Sequence, residues 1–266
     1  MRVKLVVAAV AAIGLMGAKE APKSAPAAPA PVGPQPYLTQ GDLDTYKVLP
    51  PAPTPGTTRY EADRTIYLQN RKLEGSARWK MAQGDDNSFG IIKGMTCALG
   101  AELTPQNAPK TYALLSRVGR DASRVTNYPK DIYKRQRPYL IDEGNICVTK
   151  SDGLAKSPDY PSGHNTWGWS VGLLLAELAP DRASEIMSRA RAFGESRMVC
   201  GVHNMSAVHM GWANGSMLVA ALHGNEAFRK DLEVVRKEIA TVRKTAPKPD
   251  EAVCAAEAET MKVNPY

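Results

Sequence analysis

Between residues 64 and 244 the apolar side chains of this chain return at intervals of three and four, and nowhere do they alternate convincingly over six residues. That periodicity admits helices and leaves almost no room for sheet. Segments 64–83 (broken at Gly75), 87–103, 108–136, 165–179, 181–197, 207–223 and 225–244 each predict helix, and the expected fold class is all-α, a compact helical bundle. At 266 residues the chain suits one large domain with extensions and can bury a substantial core. It contains no internal repeat.

The flanks are a different material. "MRVKLVVAAVAAIGLMGA" opens with Arg2 and Lys4, continues as an apolar run of about a dozen residues and closes on small residues near Gly17 and Ala18. This reads as a secretory signal over 1–20, too short and wrongly flanked for a membrane anchor. Residues 21–58, with "APAAPAPVGPQP" and "LPPAPTPGTT", form a Pro/Ala-rich linker expected to fold little by itself. The domain proper is expected over 59–245 and a short tail over 246–266. No later stretch is long and apolar enough to span a membrane; 171–180 comes nearest, and Glu177 and Pro180 end it. The expected location is periplasmic or secreted, with no integral membrane association.

Export turns Cys97, Cys147, Cys200 and Cys254 into expected disulfide partners. Three pairings are open, and the one favoured is Cys97–Cys147 with Cys200–Cys254. Nothing resembles a CxxC metal site, and neither a metal nor a cofactor is expected. The formal charge of +7 falls to +5 without Arg2 and Lys4. An excess this modest suits an anionic ligand at a focused site and is too scattered for nucleic acid.

Three segments carry residues suited to an anion. In "KDIYKRQRPY", Lys130, Lys134 and Arg137 fall near helical intervals, so much of this charge can share one face before Pro138 ends the helix. In "YPSGHNTWGWS", a turn punctuated by Pro161 and Gly163 leads into a helix starting at about His164. There Ser162 and the first amides offer an anion site, and a histidine occupies the first turn, where the dipole disfavours its cation. In "GESRMVCGVHNMSAVH", Arg197 presents a planar fork of donors, and His203 precedes another helix with Ser206 as its expected N-cap. Cations, helix-start amides and two histidines together match phosphoryl transfer.

Lys130 with Arg137-Pro138, then Pro161-Ser162-Gly163-His164, then Ser196-Arg197 and His203 resemble the three-part signature of the type 2 phosphatidic acid phosphatase (PAP2) superfamily. Within it, "GSARWKMAQGDD", "RDASRVTNYPKDIYKRQRPY", "YPSGH" and "FGESRMVCGVH" look like the secreted bacterial class A non-specific acid phosphatases, over roughly residues 60–245. The resemblance implies an acid phosphatase hydrolysing phosphate monoesters without a metal. Lys130, Arg137 and Arg197 would bind phosphoryl oxygens, with Ser162 and the Gly163 amide completing the cradle. His203 would be the nucleophile and form a phosphohistidine. His164 would protonate the leaving alcohol and then activate water. The resemblance also implies binding of inorganic phosphate, inhibition by vanadate and a homo-oligomer.

The family pattern places an aspartate four residues after the nucleophile, to fix its tautomer and stabilise its cation. Here that position is Ala207. The expectation is slowed turnover, unless a backbone carbonyl or a carboxylate from elsewhere, such as Glu195 or Asp121, replaces it. The alternatives are a phosphate-binding pseudoenzyme and, further off, a vanadate-dependent haloperoxidase. His209, six residues after His203, is an unsuitable substitute and reads as a packing or surface histidine, and His223 reads as a helix C-terminal dipole partner.

Overall fold

The computed structural model describes residues 33–266, so the expected signal segment and the first part of the linker lie outside the described residues. Thr57 and Ser76 cap the first two helices, α1 (Thr58–Asn70) and α2 (Ala77–Gly84), each side-chain oxygen accepting the amide three residues on. Between them lies Gly75, at φ +77°. The expected helix over 87–103 is two short ones, α3 (Gly90–Gly94) and α4 (Thr96–Leu99). The long α5 (Pro109–Tyr133) and the short α6 (Asp152–Lys156) follow. Four helices of 16 to 20 residues then run almost without interruption: α7 (Gly163–Leu178), α8 (Ala183–Val199), α9 (Met205–Gly224) and α10 (Glu226–Thr245). The last is α11 (Glu251–Thr260). Among the described residues there is no strand, and the protein is all-α.

The apolar α7 is the central helix, packed chiefly on α8 and α9, with α5 and α10 closing the bundle. Val171, Leu174, Leu175, Phe193, Leu218 and Phe228 are fully buried there. Each side chain of this kind contributes about 1.5–3 kcal/mol by leaving water. The approach of α9 to the start of α7 is close enough to require glycine. A Cβ on Gly211 would stand 2.5 Å from Asn165 Cβ and 2.7 Å from the Ser162 carbonyl oxygen. Among the described residues, no helix is long and apolar enough to cross a membrane.

Two expectations need correction. First, α5 stops at Tyr133: Lys134 adopts a left-handed conformation (φ 46°) and its amide closes on the Lys130 carbonyl. Arg137 is therefore extended rather than helical, as a residue before proline prefers, so Lys130 and Arg137 do not share a helix face. Second, the disulfides join Cys97 to Cys254 and Cys147 to Cys200, not the favoured pairing. The tail comes back across the bundle to reach Cys97, a juxtaposition decided by tertiary packing. The Pro-rich stretch from Tyr37 onward lies against the helices. Tyr37, Leu38 and Leu49 are buried, and the amides of Tyr37 and Leu38 donate to Asp121 at 2.8 and 3.1 Å. A few apolar anchors and one buried carboxylate hold a segment whose own regular structure is a single 3-10 turn over Thr45–Lys47.

Candidate active site

The three expected segments converge at one end of the bundle. The turn before α7 supplies the first part. Ser162 caps the helix, its Oγ accepting the Asn165 amide and, at 2.9 Å, the Asn165 carboxamide. Its own amide donates to the Ala207 carbonyl at 3.0 Å, which ties the turn to α9. The Gly163 amide begins a 16-residue helix, where an anion is favoured.

Arg137 and Lys130 are anchored to the stretch just before that turn. Arg137 Nε donates to the Ser157 carbonyl at 2.7 Å and Nη1 to the Val202 carbonyl at 2.7 Å. Lys130 Nζ donates to the Pro158 carbonyl. Both cations are buried. Burial, with the Arg137 charge beside it, pulls the Lys130 ammonium down to about 7. Arg197, in the last turn of α8, donates from Nη2 to Asp86 at 2.8 Å. Its Nε and Nη1 are buried without a partner, two donors of a fork that suits phosphoryl oxygens.

His203 follows α8 through a tight turn in which the amides of Val202 and His203 both close on the Arg197 carbonyl. Gly201 makes that turn at φ +81°, with Arg71 packed where a Cβ would be. The disulfide from Cys200 pins it to Cys147. Ser206, the N-cap expected from the sequence, does not cap α9. Asn204 occupies the cap position, and Ser206 instead donates to Asp63 at 2.5 Å.

The chemistry turns on the His203 ring. Nε2 lies 3.3 Å from Arg137 Nη1, and a guanidinium only donates, so Nε2 carries its lone pair. The proton of the neutral ring is then on Nδ1, which donates to Asp159 Oδ1 at 2.8 Å. Asp159 is fully buried. It also accepts from the Asn204 amide (3.2 Å) and carboxamide (2.8 Å) and pairs with Arg135 at 3.4 Å. Arg135 is fixed in turn by Asp63 at 2.7 Å. Burial pushes the Asp159 carboxyl up, while Arg135, Asn204 and Arg137 pull it back. Burial first, then Arg137, Lys130 and Arg197, hold the His203 ring well below the usual imidazole range, so it stays neutral.

An orienting carboxylate is thus present, from neither expected source. Glu195 pairs with Arg191, and Asp121 holds Tyr37 and Leu38. Asp159 stands two residues before Pro161, on the peptide that carries the turn before α7. Sequence reasoning missed it by following spacing along the chain from His203; an acidic residue directly preceding "YPSGH" was the available signal.

His164 stacks on Phe193 with ring centroids 4.4 Å apart. Its Nε2 donates to the Asp85 carbonyl at 2.7 Å, which leaves Nδ1 as the basic nitrogen, 2.9 Å from Ser88 Oγ. Burial, then the Arg197 charge, lowers its pKa well below 6.5. The 85–89 loop holds it. Asp85 there pairs with Arg189 at 2.6 Å and accepts from Ser196 at 2.6 Å, so the loop is riveted to α8. His209 and His223 stand apart from this constellation, against Tyr266 and Glu177 respectively.

Residues 112–229, which include every residue of the constellation from Lys130 to His203, match the PAP2 superfamily. The chain is 39% identical over 217 residues to an acid phosphatase of Zymomonas mobilis subsp. mobilis, covering 80% of this chain and 82% of that one. It is 33% identical over 206 residues to a non-specific acid phosphatase of Providencia stuartii (76% and 83% covered). It is also 33% identical over 195 residues to one of Salmonella typhimurium (72% and 78%).

Proposed function

The chain belongs to the PAP2 superfamily, and from that premise we propose that it is an acid phosphatase acting on phosphate monoesters through a phosphohistidine at His203. The observation that carries the reading is the pair His203–Asp159, which leaves Nε2 with its lone pair beside the Arg137 guanidinium. In the first step Nε2 attacks phosphorus, the bond from phosphorus to the ester oxygen breaks, and His164 gives that oxygen its proton. The positive charge developing on His203 is met by Asp159. In the second step His164 takes a proton from water as the water oxygen bonds to phosphorus and the N–P bond breaks. Phosphate leaves and both histidines are restored.

Lys130, Arg137 and Arg197 neutralise the oxygens throughout, with the Ser162 hydroxyl and Gly163 amide as further donors. His164, held below its ordinary range by burial and Arg197, regains its proton when the substrate's negative charge enters and as pH falls, which favours acid conditions. Vanadate, a mimic of the phosphoryl transition state, is the expected inhibitor, and inorganic phosphate the expected product ligand. Residues 1–20 are proposed as a signal for export to the periplasm or beyond, and 59–245 as the catalytic domain, with homo-oligomerisation as in the resembled class. The alternative of a phosphate-binding protein without turnover rests on Ala207, and the Asp159 carboxylate 2.8 Å from His203 Nδ1 favours the enzyme.

The test is p-nitrophenyl phosphate turnover at acid pH by the parent and His203→Ala, with alkaline quenching to trap phosphohistidine. Turnover and the adduct are expected in the parent and absent from the variant. An inactive parent that still binds phosphate would overturn the catalytic reading, and activity indifferent to His203→Ala would overturn the nucleophile.

A further inference from the structure

The loop that fixes His164 is itself held from outside the site. His164 Nε2 donates to the Asp85 carbonyl at 2.7 Å, so the place of that carbonyl sets the direction of the ring. The Asp85 side chain is gripped by a fork: Arg189 Nη2 donates to Oδ1 at 2.6 Å and Nη1 to Oδ2 at 3.3 Å. Arg189 is buried, and α3 ends on a glycine where the fork passes. A Cβ on Gly94 would stand 2.9 Å from Arg189 Nη2. The remaining nitrogen, Nε, lies 3.4 Å from Glu257 Oε2, an ion pair rather than a tight hydrogen bond. Glu257 belongs to α11, in the tail, and stands about one helical turn after Cys254. The disulfide from Cys254 fixes that face of α11 to Cys97 in α4. Every nitrogen of the Arg189 guanidinium thus faces a carboxylate, one from the loop and one from the tail. A planar group held at one edge can pivot, and one held at two edges cannot.

Resting on the phosphatase reading, we propose that the relay Glu257–Arg189–Asp85 aims His164 for proton transfer, with Arg189 and Glu257 as positioning residues and α11 as the part of the fold that keeps them in place. The relay ends on the acid and not on the phosphate cradle, whose cations are held by Ser157, Pro158, Val202 and Asp86. Breaking it therefore slows the release of a leaving oxygen that needs a proton. An alkoxide needs one, whereas p-nitrophenolate is stable enough to leave as the anion. Displacing a reacting group by about 1 Å costs on the order of 10²-fold.

The experiment compares ethyl phosphate with p-nitrophenyl phosphate in the parent, Arg189→Lys, Glu257→Gln and the paired change Cys97→Ser with Cys254→Ser, each checked for folding by a thermal melt. The reading is kcat/KM, which covers the steps up to departure of the alcohol. With ethyl phosphate it should fall about 10–100-fold in Arg189→Lys and about tenfold in the other two variants. With p-nitrophenyl phosphate it should stay within about threefold of the parent, while kcat and KM fall together because attack of water on the phosphohistidine also needs His164. Nitrogen NMR of the His164 ring reads the relay without turnover: the Nε2–H signal should lose its hydrogen-bond shift in the variants. Equal losses on both substrates overturn the relay, as does an ethyl phosphate kcat/KM within about threefold of the parent in Glu257→Gln. An unaltered ring signal overturns it too. An inactive parent whose ring signal still changes in the variants overturns the phosphatase reading and leaves the relay standing. Arg189 lies in the core, and if Arg189→Lys does not fold, Glu257→Gln decides by itself.

Discussion

Replacing Asp159 by asparagine removes one charge and leaves the shape of the site almost intact. In the ground state His203 is neutral and loses only one hydrogen-bond acceptor, but in the transition state its ring becomes a cation 2.8 Å from that carboxylate. At the effective dielectric of about 20 suited to protein sites, two unit charges at that distance attract by about 6 kcal/mol. Arg135 shares the carboxylate and reduces the gain, so a loss of about 4–5 kcal/mol, or 10³–10⁴ in kcat, is expected. A comparable tautomer-setting aspartate in serine proteases is worth about 10⁴. Folding should survive, because Arg135 keeps Asp63 and Ser206; a thermal melt checks this. The assay is the kcat of p-nitrophenyl phosphate hydrolysis together with phosphate affinity, which should change little because the cations of the cradle remain. If Asp159→Asn keeps kcat within threefold of the parent, Asp159 does not orient the nucleophile. Ala207→Asp gives the companion measurement. With Asp159 in place it should not raise kcat, and inserting it at a fully buried position should cost about 1–3 kcal/mol of stability.

Lys130 sits at about 7 in the fold against 10.5 in an unfolded chain. Between those values the unfolded state binds more protons, so this residue's contribution to stability rises with pH, and below 7 its buried charge is the costlier form. Anion binding should show the opposite trend: sulfate, whose charge is constant here, should raise Tm more at pH 5.5 than at pH 8.5, and Lys130→Met should flatten the difference. Gly211→Ala places a Cβ 2.7 Å from the Ser162 carbonyl oxygen. It should cost about 1–3 kcal/mol by overpacking, seen as a lower Tm with weakened phosphate binding as the turn before α7 is displaced. Removing the Cys147–Cys200 bridge by paired serine substitutions frees a separation of 53 residues and should cost about 2–4 kcal/mol in chemical denaturation.

Helices α5 and α7 to α10 are legible because their apolar spacing is local and repeats over several turns, whereas the five-residue α6 is too short to leave such a pattern. The cradle residues were legible because each lies in a short motif whose chemistry is plain. What escaped depends on contacts between segments far apart in the chain. Asp159 reaches His203 across 44 residues, and Cys97 reaches Cys254 across 157. No periodicity records such encounters. Asn204 was overlooked as the cap of α9 because its side chain serves Asp159 rather than the helix, so the usual capping bond is absent. The end of α5 was placed three residues late: nothing in "YKRQRPY" announces that Lys134 takes the left-handed turn usually left to glycine or asparagine.

The peptide from Ser157 to His164 touches every part of the proposed reaction except Arg197, which Asp86 holds. Its carbonyls at Ser157 and Pro158 hold Arg137 and Lys130, its carboxylate at Asp159 holds His203, and its last three residues form the anion turn and the acid. Eight consecutive residues thus act as a jig on which the tools are mounted. Inheritance and engineering should respect that unit. A single inserted residue inside it would put every tool out of alignment at once, whereas a graft of the whole segment would carry its own orienting acid into a relative and make the acid at the customary position dispensable.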